Sequence, residues 1–247
     1  LSNATKRGIL IKNSKFIEEM TEVETVVFDK TGTLTQNKMT VVDSFCEDEK
    51  ELATAMALCC DAEIDADGVV TGEPTEAALV NYANTLGLNK NDLVAAAPRI
   101  GEAPFDSGRK MMSTVHTVDG KTIQYTKGAP DVVVGRCTHY IEDGKILPIT
   151  EEYISSITSA NKEMADKALR VLACSMRVWD TAPENYEPEC LEESLCFLGL
   201  CGMIDPVRPE VKDAIAECRS AGIRPIMITG DHIDTAVAIA KELGIIE

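Results

Sequence analysis

The run Asp29-Lys30-Thr31-Gly32-Thr33-Leu34-Thr35 holds the densest set of chemically capable residues in the chain. It follows the apolar stretch Val23–Phe28. The spacing predicts a strand that ends on a carboxylate and runs into a glycine-containing turn. In an open α/β sheet that is the mouth where ligands bind. A carboxylate placed there can attack phosphorus, and adjacent turn amides can hold phosphate oxygens. Far along the chain, Thr229-Gly230-Asp231 closes the apolar run Ile223–Thr229 and opens a helical pattern. The glycine permits close backbone approach, and a helix N-terminus favours an anion. An ordinary capped helix start reads the same way locally. Asp205-Pro206-Val207-Arg208 reads as a turn before a helix.

Between these runs lie residues that could grip a planar, charged ligand. Lys127-Gly128-Ala129-Pro130 ends a strand pattern with a cation and a close-approach glycine. Phe105 sits on a polar, turn-rich stretch with Arg109 and Lys110 close behind. It could stack on a base, or it could anchor its own loop. Arg170 opens an otherwise apolar strand and calls for an anionic partner, either a structural carboxylate or a phosphate. Glu73, Thr75 and Glu76 begin a helix after Gly72. A carboxylate there could accept from a base amino group, and it equally suits the positive end of the helix dipole.

The elements that must position these groups follow from periodicity and turn chemistry. Residues 5–21 are a charged lead-in, and Asn37–Val42 reads as a short connecting strand. Glu49–Asp61 and Pro74–Leu86 are helical patterns. Met111–Val118 and Lys121–Lys127 flank Asp119-Gly120, and a further turn falls at Asp143-Gly144; both are strong hairpin signals. Pro130–Gly135 and the amphipathic Thr150–Ala168 read as helices. Arg170–Val178 and Leu195–Ile204 are apolar on both faces, as central strands are. From Glu210 the rhythm becomes helix (to Ala221), strand (Ile223–Thr229), helix (Asp231–Leu243). An α/β region thus starts, is interrupted by α+β structure, and resumes.

Composition narrows the field. The chain has 247 residues, 45% of them hydrophobic, with a net charge of −17. The mean hydropathy is −0.04, and no uninterrupted apolar run reaches the ~18 residues that a spanning helix needs. The negative charge opposes nucleic acid and anionic lipid, so neither is an expected partner. Any nucleotide site must rest on a local basic cluster and a divalent cation. Nine cysteines, odd in number and without a CxxC spacing, predict buried reduced thiols rather than disulfides or zinc. Ser2-Asn3-Ala4 is set aside with residues 1–4 as the remnant of an expression tag.

Taken together, DKTGTLT, the Thr229-Gly230-Asp231 run, the Asp205–Arg208 hinge pattern, Lys127–Pro130 and the Gly72–Glu76 helix start resemble the P-type ATPases. These are cation pumps that form an aspartyl-phosphate. The insert resembles their calcium-pump-like branch. The resemblance implies an α/β plus α+β fold. A partial HAD-like Rossmannoid phosphorylation domain (residues 5–37 and 205–247) would be interrupted by an antiparallel-sheet nucleotide-binding domain with flanking helices (38–204). It implies ATP and Mg²⁺ as cofactors. Asp29 would be the nucleophile, with Thr31, Thr229, Gly230 and Asp231 around the phosphate and Mg²⁺ held by Asp29 and the Thr31 carbonyl. Glu73, Thr75, Glu76, Phe105, Arg109, Lys110, Lys127, Gly128, Arg170, Asp205 and Arg208 would face the nucleotide.

Thr31 stands where related phosphatases carry a second aspartate, so loss of the acyl-phosphate should be slow. The family's later GDGxND motif, the phosphate-contacting lysine, the actuator loop and the membrane helices have no match here. The expectation is therefore a soluble, nearly inactive region from the cytoplasmic face of a larger membrane pump. Its partners would be ATP and the pump's actuator and membrane domains, with the cation bound only in those absent helices. Two other classes fit the same residues: a soluble phosphatase or phosphotransferase of that superfold, and a nucleotide-binding module with a vestigial Asp29.

Overall fold

The computed structural model describes residues 19–230 and 233–246. Residues 1–4, the lead-in up to residue 18, and Asp231 lie outside the described residues. In chain order the elements are β1 (Thr25–Asp29), β2 (Thr40–Cys46), α1 (Glu49–Leu58), β3 (Glu63–Ile64), β4 (Val70–Thr71), α2 (Pro74–Thr85), α3 (Lys90–Ala96), β5 (Arg99–Asp106), β6 (Met111–Val118), β7 (Lys121–Gly128), α4 (Pro130–Arg136), β8 (Cys137–Glu142), β9 (Lys145–Pro148), α5 (Glu151–Asp166), β10 (Arg170–Trp179), α6 (Pro188–Leu191), β11 (Leu195–Ile204), α7 (Val211–Ser220), β12 (Arg224–Ile228) and α8 (Ile233–Glu242). They fall into two units, Lys38–Pro206 and the pair of segments Leu1–Asn37 with Val207–Glu247.

In the Lys38–Pro206 unit the strands form one sheet in the order β5-β6-β7-β10-β11-β8-β9, with β2 also on β11. Strand β11 is the spine. One edge pairs with β10, while the other is shared by β8 at Leu195–Phe197 and β2 at Gly199–Ile204. Side chains of a strand point alternately to the two faces. Met112, Cys174 and Leu198 accordingly join a core with Leu52 and Met56 of α1 and Leu79 of α2. Their neighbours Met111, Ala173 and Phe197 join a second core with Val133 of α4 and Ile157 and Met164 of α5. Burial on both faces is why these strands are apolar throughout.

Both Asp-Gly turns connect hairpins as expected. Asp119 and Gly120 have φ of 49° and 78°, and Asp143 and Gly144 have 49° and 69°, as a two-residue type I′ connection demands. Three expectations need correction. The connecting strand is β2, which starts at Thr40 and runs to Cys46; Asn37 (φ 54°) is left-handed and cannot lie in it. The sheet is not wholly antiparallel, because β8 pairs parallel with β11. Phe105 lies at the end of β5 and not in a loop.

In the other unit β1 and β12 pair in parallel, from Thr25 opposite Arg224 to Asp29 opposite Ile228. Leu34, Val211, Ile215, Ile239 and Leu243 form its core.

Candidate functional site

Asp29 closes β1 opposite Ile228, and Thr229 and Gly230 follow β12 directly. The three therefore share the C-terminal mouth of the parallel pair. The turn after Asp29 is anchored from below: Leu34 and Thr35 are 2% and 0% exposed. The Thr35 amide donates to the Lys30 carbonyl at 3.0 Å, and the Gly32 amide donates to Thr35 Oγ1 at 3.3 Å. Gly32 has φ 76°, a left-handed conformation that suits glycine. Thr31 is extended, and both Asp29 and Thr31 are exposed. Arg208 braces this turn. Its guanidinium donates to the Gly32 carbonyl at 3.0 Å, and its backbone amide donates to the Leu34 carbonyl at 2.9 Å. Asp205 belongs to the other unit, where Oδ1 accepts the Lys38 amide at 3.0 Å. The two charged residues of the hinge pattern thus have separate duties.

The second constellation lies at one end of the large sheet. The register sets Met111 opposite Gly128 and Met112 opposite Lys127, then Gly128 opposite Ala173. The end of β5, the start of β6, the end of β7 and the start of β10 therefore lie side by side. Helix α2 reaches the same place with its first turn. Glu73 caps it, accepting the amides of Thr75 at 2.8 Å and Glu76 at 3.2 Å. Glu76 Oε1 meets Lys127 Nζ at 2.5 Å, and Glu76 Oε2 accepts the Asp61 amide at 2.9 Å. Lys127 is 6% exposed. Burial pulls its ammonium down, but coupling to Cys59, Cys60 and the Glu76 carboxylate outweighs that, and the net shift is upward. Arg170 is exposed and donates to Thr75 Oγ1 at 3.0 Å. The side chain is not buried, so it needs no structural carboxylate beside it.

Phe105 is 62% exposed at this end of the sheet, which argues against a core or loop-anchoring role. Arg109 does not point freely beside it. Its guanidinium is paired with Glu192 and donates to the Pro104 carbonyl at 2.6 Å. Lys110 is exposed, with φ 56°. Gly128 does permit a close approach, but of protein: an added Cβ would sit 2.4 Å from the Lys110 carbonyl. The structure thus gathers Glu73, Thr75, Glu76, Lys127 and Arg170 into one bonded group. It brings Phe105, Arg109, Lys110 and Gly128 to the same sheet end.

Sequence reasoning missed the residues that hold this group in place. Lys90 is 7% exposed and donates to the Cys60 and Ala62 carbonyls at 2.8 and 2.5 Å. Arg99 donates to the Leu58 and Cys60 carbonyls at 3.2 and 2.7 Å. Together they fix the segment whose Asp61 amide holds Glu76. Glu192, 5% exposed, does the same for Arg109. None of the three carries a local signal.

The P-type ATPase cytoplasmic domain N family matches residues 48–210. Among curated relatives, Calcium-transporting ATPase 1 of Bacillus cereus is 45% identical over 98% of this chain and 28% of its own length. Calcium-transporting ATPase 1 of Lactococcus lactis is 42% identical over 97% of this chain and 29% of its own length. A calcium-transporting ATPase of Listeria monocytogenes is 38% identical over 98% and 29%. The chain spans less than a third of the length of these relatives. No helix among the described residues is long and apolar enough to cross a membrane. With a domain match over residues 48–210 and pumps aligned along almost its full length, the chain belongs to the P-type ATPases.

Proposed function

We propose that this chain is the ATP-binding and aspartyl-phosphorylation region of a calcium-transporting P-type ATPase, working on the cytoplasmic side of the membrane. Lys38–Pro206 is the nucleotide-binding domain, and the β1–β12 unit is part of a HAD-like phosphorylation domain. The observation that carries the reading is the register of β1 with β12, which sets Asp29 beside Thr229-Gly230 at one sheet mouth.

In this reading adenine stacks on the exposed face of Phe105, and Lys127 and Arg170 face the nucleotide's charge. Glu73 and Thr75 shape the α2 start, and the Glu76 carboxylate keeps Lys127 charged and aimed. An Asp29 carboxylate oxygen attacks the γ-phosphorus. The new P–O bond forms as the bond to the β,γ-bridging oxygen breaks, and ADP leaves with that electron pair. The transfer needs positioning more than acid–base help. Thr31 supplies no carboxylate to take the proton of an attacking water, so the acyl-phosphate persists. Thr229 and the Gly230 amide donate to phosphate oxygens, and Asp231 is assigned beside them on the sequence motif alone. Arg208 holds the turn open through the Gly32 carbonyl.

The donor set at the mouth is one exposed carboxylate, Asp29, and the Thr31 carbonyl. Among the described residues no cluster of three or more His, Cys, Asp or Glu could hold a metal by itself. The two oxygens of Asp29 and Thr31 suit Mg²⁺, which takes one or two protein oxygens and completes its shell with water and substrate phosphate. When bound it would neutralise charge on the transferring group. The partners implied are the actuator and membrane domains of the whole pump.

The test is made on the full-length pump. ATP labelled at the γ-phosphate should leave an acid-stable, hydroxylamine-labile label. Asp29→Asn should abolish that label while ATP affinity stays within about twofold. Label that survives Asp29→Asn would overturn the assignment.

A further inference from the structure

We infer that Glu192 is a positioning residue for the base-stacking platform. It fixes Arg109, and through Arg109 the end of β5 that carries Phe105. The inference rests on the nucleotide-site reading above and adds a residue that lies 83 positions from its partner.

The geometry is a chain of buried polar contacts on the sheet. Trp179 Nε1 donates to Gln124 Oε1 at 3.1 Å. Gln124 Nε2 donates to Thr126 Oγ1 at 2.9 Å and to the Leu191 carbonyl at 2.7 Å. The second bond pins the short helix α6 at its last residue, directly before Glu192. Glu192 is thus a fixed post, 5% exposed, with Ser113 Oγ 3.5 Å from Oε1. A carboxylate this buried requires a counter-charge, and Arg109 supplies it. The Arg109 side chain is 27% exposed, and it bridges from Glu192 to the Pro104 carbonyl at 2.6 Å. Its own amide donates to Asp106 Oδ1 at 2.8 Å. The residues on either side of Phe105 are therefore both tied to Arg109, Pro104 to its guanidinium and Asp106 to its backbone amide, with Nε 4.0 Å from Asp106 Oδ1. Phe105 itself is 62% exposed and has little packing of its own to hold it. A forked, planar guanidinium suits such a bridge, because it can satisfy a carboxylate and a carbonyl at once.

A platform residue on a loosened strand end binds in proportion to the time spent in the competent arrangement. Loss of the anchor that leaves the strand end competent about a tenth of the time lowers ATP affinity about tenfold. A residue that acts through Phe105 must lose its effect when Phe105 is gone, whereas a residue of general structural value keeps it.

The experiment is a double-mutant cycle on the 247-residue chain, with ATP affinity read by calorimetry. Glu192→Gln should weaken ATP about tenfold with Phe105 present, and by less than about twofold in the Phe105→Ala background. Arg109→Met, placed on the outer side of the pair, should behave alike and serves if Glu192→Gln does not fold. The emission of the single tryptophan, Trp179, checks that the buried network is intact in each variant. Losses of equal size in both backgrounds, or no loss, would overturn the inference while leaving the base site standing. Phe105→Ala that leaves affinity unchanged would overturn the base site and this inference with it.

Discussion

Lys127 is a cation in an almost closed position, 6% exposed, and its partner Glu76 has a side chain 16% exposed. Removing one member of such a pair leaves the other desolvated without compensation. Glu76 retains the Asp61 amide and some solvent, so the expected loss for Lys127→Met is about 1–3 kcal/mol rather than the larger cost of a fully buried orphan charge. The accompanying loss of ATP affinity should exceed about tenfold, since a charge-assisted contact is withdrawn. Denaturant titration and calorimetry check the two values separately; a destabilised variant that still binds ATP normally would remove Lys127 from the site. His116 offers a pH test. Nδ1 lies 2.9 Å from the Ala97 carbonyl, which can only accept, so Nδ1 carries the proton and Nε2 accepts from Thr114 Oγ1 at 2.9 Å. Burial lowers its pKa, the Ala97 bond opposes that, and Arg99 and Lys90 lower it further. Below about pH 6.5 the unfolded chain binds a proton that the native chain refuses. Stability should therefore fall as pH drops from about 6.5 toward the depressed native value, and His116→Gln should flatten that part of the curve. An unchanged slope in the variant would place the effect elsewhere.

Elements that bury both faces or end in Asp-Gly turns were readable from sequence, because apolar runs such as Leu195–Ile204 and left-handed turn pairs have few other uses. Elements β3 and β4 have two residues each and α6 has four, too short to show a period. The end of β5 was misread because its residues 104–106 are exposed, so Pro104, Phe105 and Asp106 look like a loop. The bonded site was legible only as separate fragments. Glu76 and Lys127 are 51 positions apart, and Glu192 beside Glu193 reads as a solvated charge pair. Glycine marks where elements touch. At Gly199 a Cβ would lie 2.7 Å from both Cys46 Cβ and the Phe45 carbonyl, where β11 passes β2. Gly199→Ala should cost about 1–3 kcal/mol through overpacking, seen as a lower denaturation midpoint. A neutral effect would mean that the β2–β11 contact gives way easily.

At the scale of the whole chain, the negative charge and the thiols constrain what the molecule can do. All nine cysteines are free, and only Cys46, Cys190 and Cys218 are even partly exposed. Burial pushes Cys137 up to about 12 and Cys196 up to about 11, and raises Cys46 as well. The thiolate is the reactive form. A thiol reagent at pH about 8 should label Cys190 and Cys218 first and the remainder only on unfolding. Rapid labelling of Cys137 or Cys196 would contradict the two-faced core around β11. The net charge of −17 repels an anionic nucleotide at long range, so binding must be local and modest. Stacking contributes on the order of 1–3 kcal/mol per base. After the entropy of association a dissociation constant of roughly 0.1–1 mM is expected for ATP. The most direct test is an NMR titration of this chain with ATP and resonance assignments in hand. The predicted result is saturable binding in that range, with the largest shifts at Phe105, Thr75, Glu76, Lys127 and Arg170, and weakened in Phe105→Ala. Saturable binding with its shifts elsewhere on the Lys38–Pro206 unit, or no shifts at millimolar ATP, would contradict the nucleotide site at this end of the sheet.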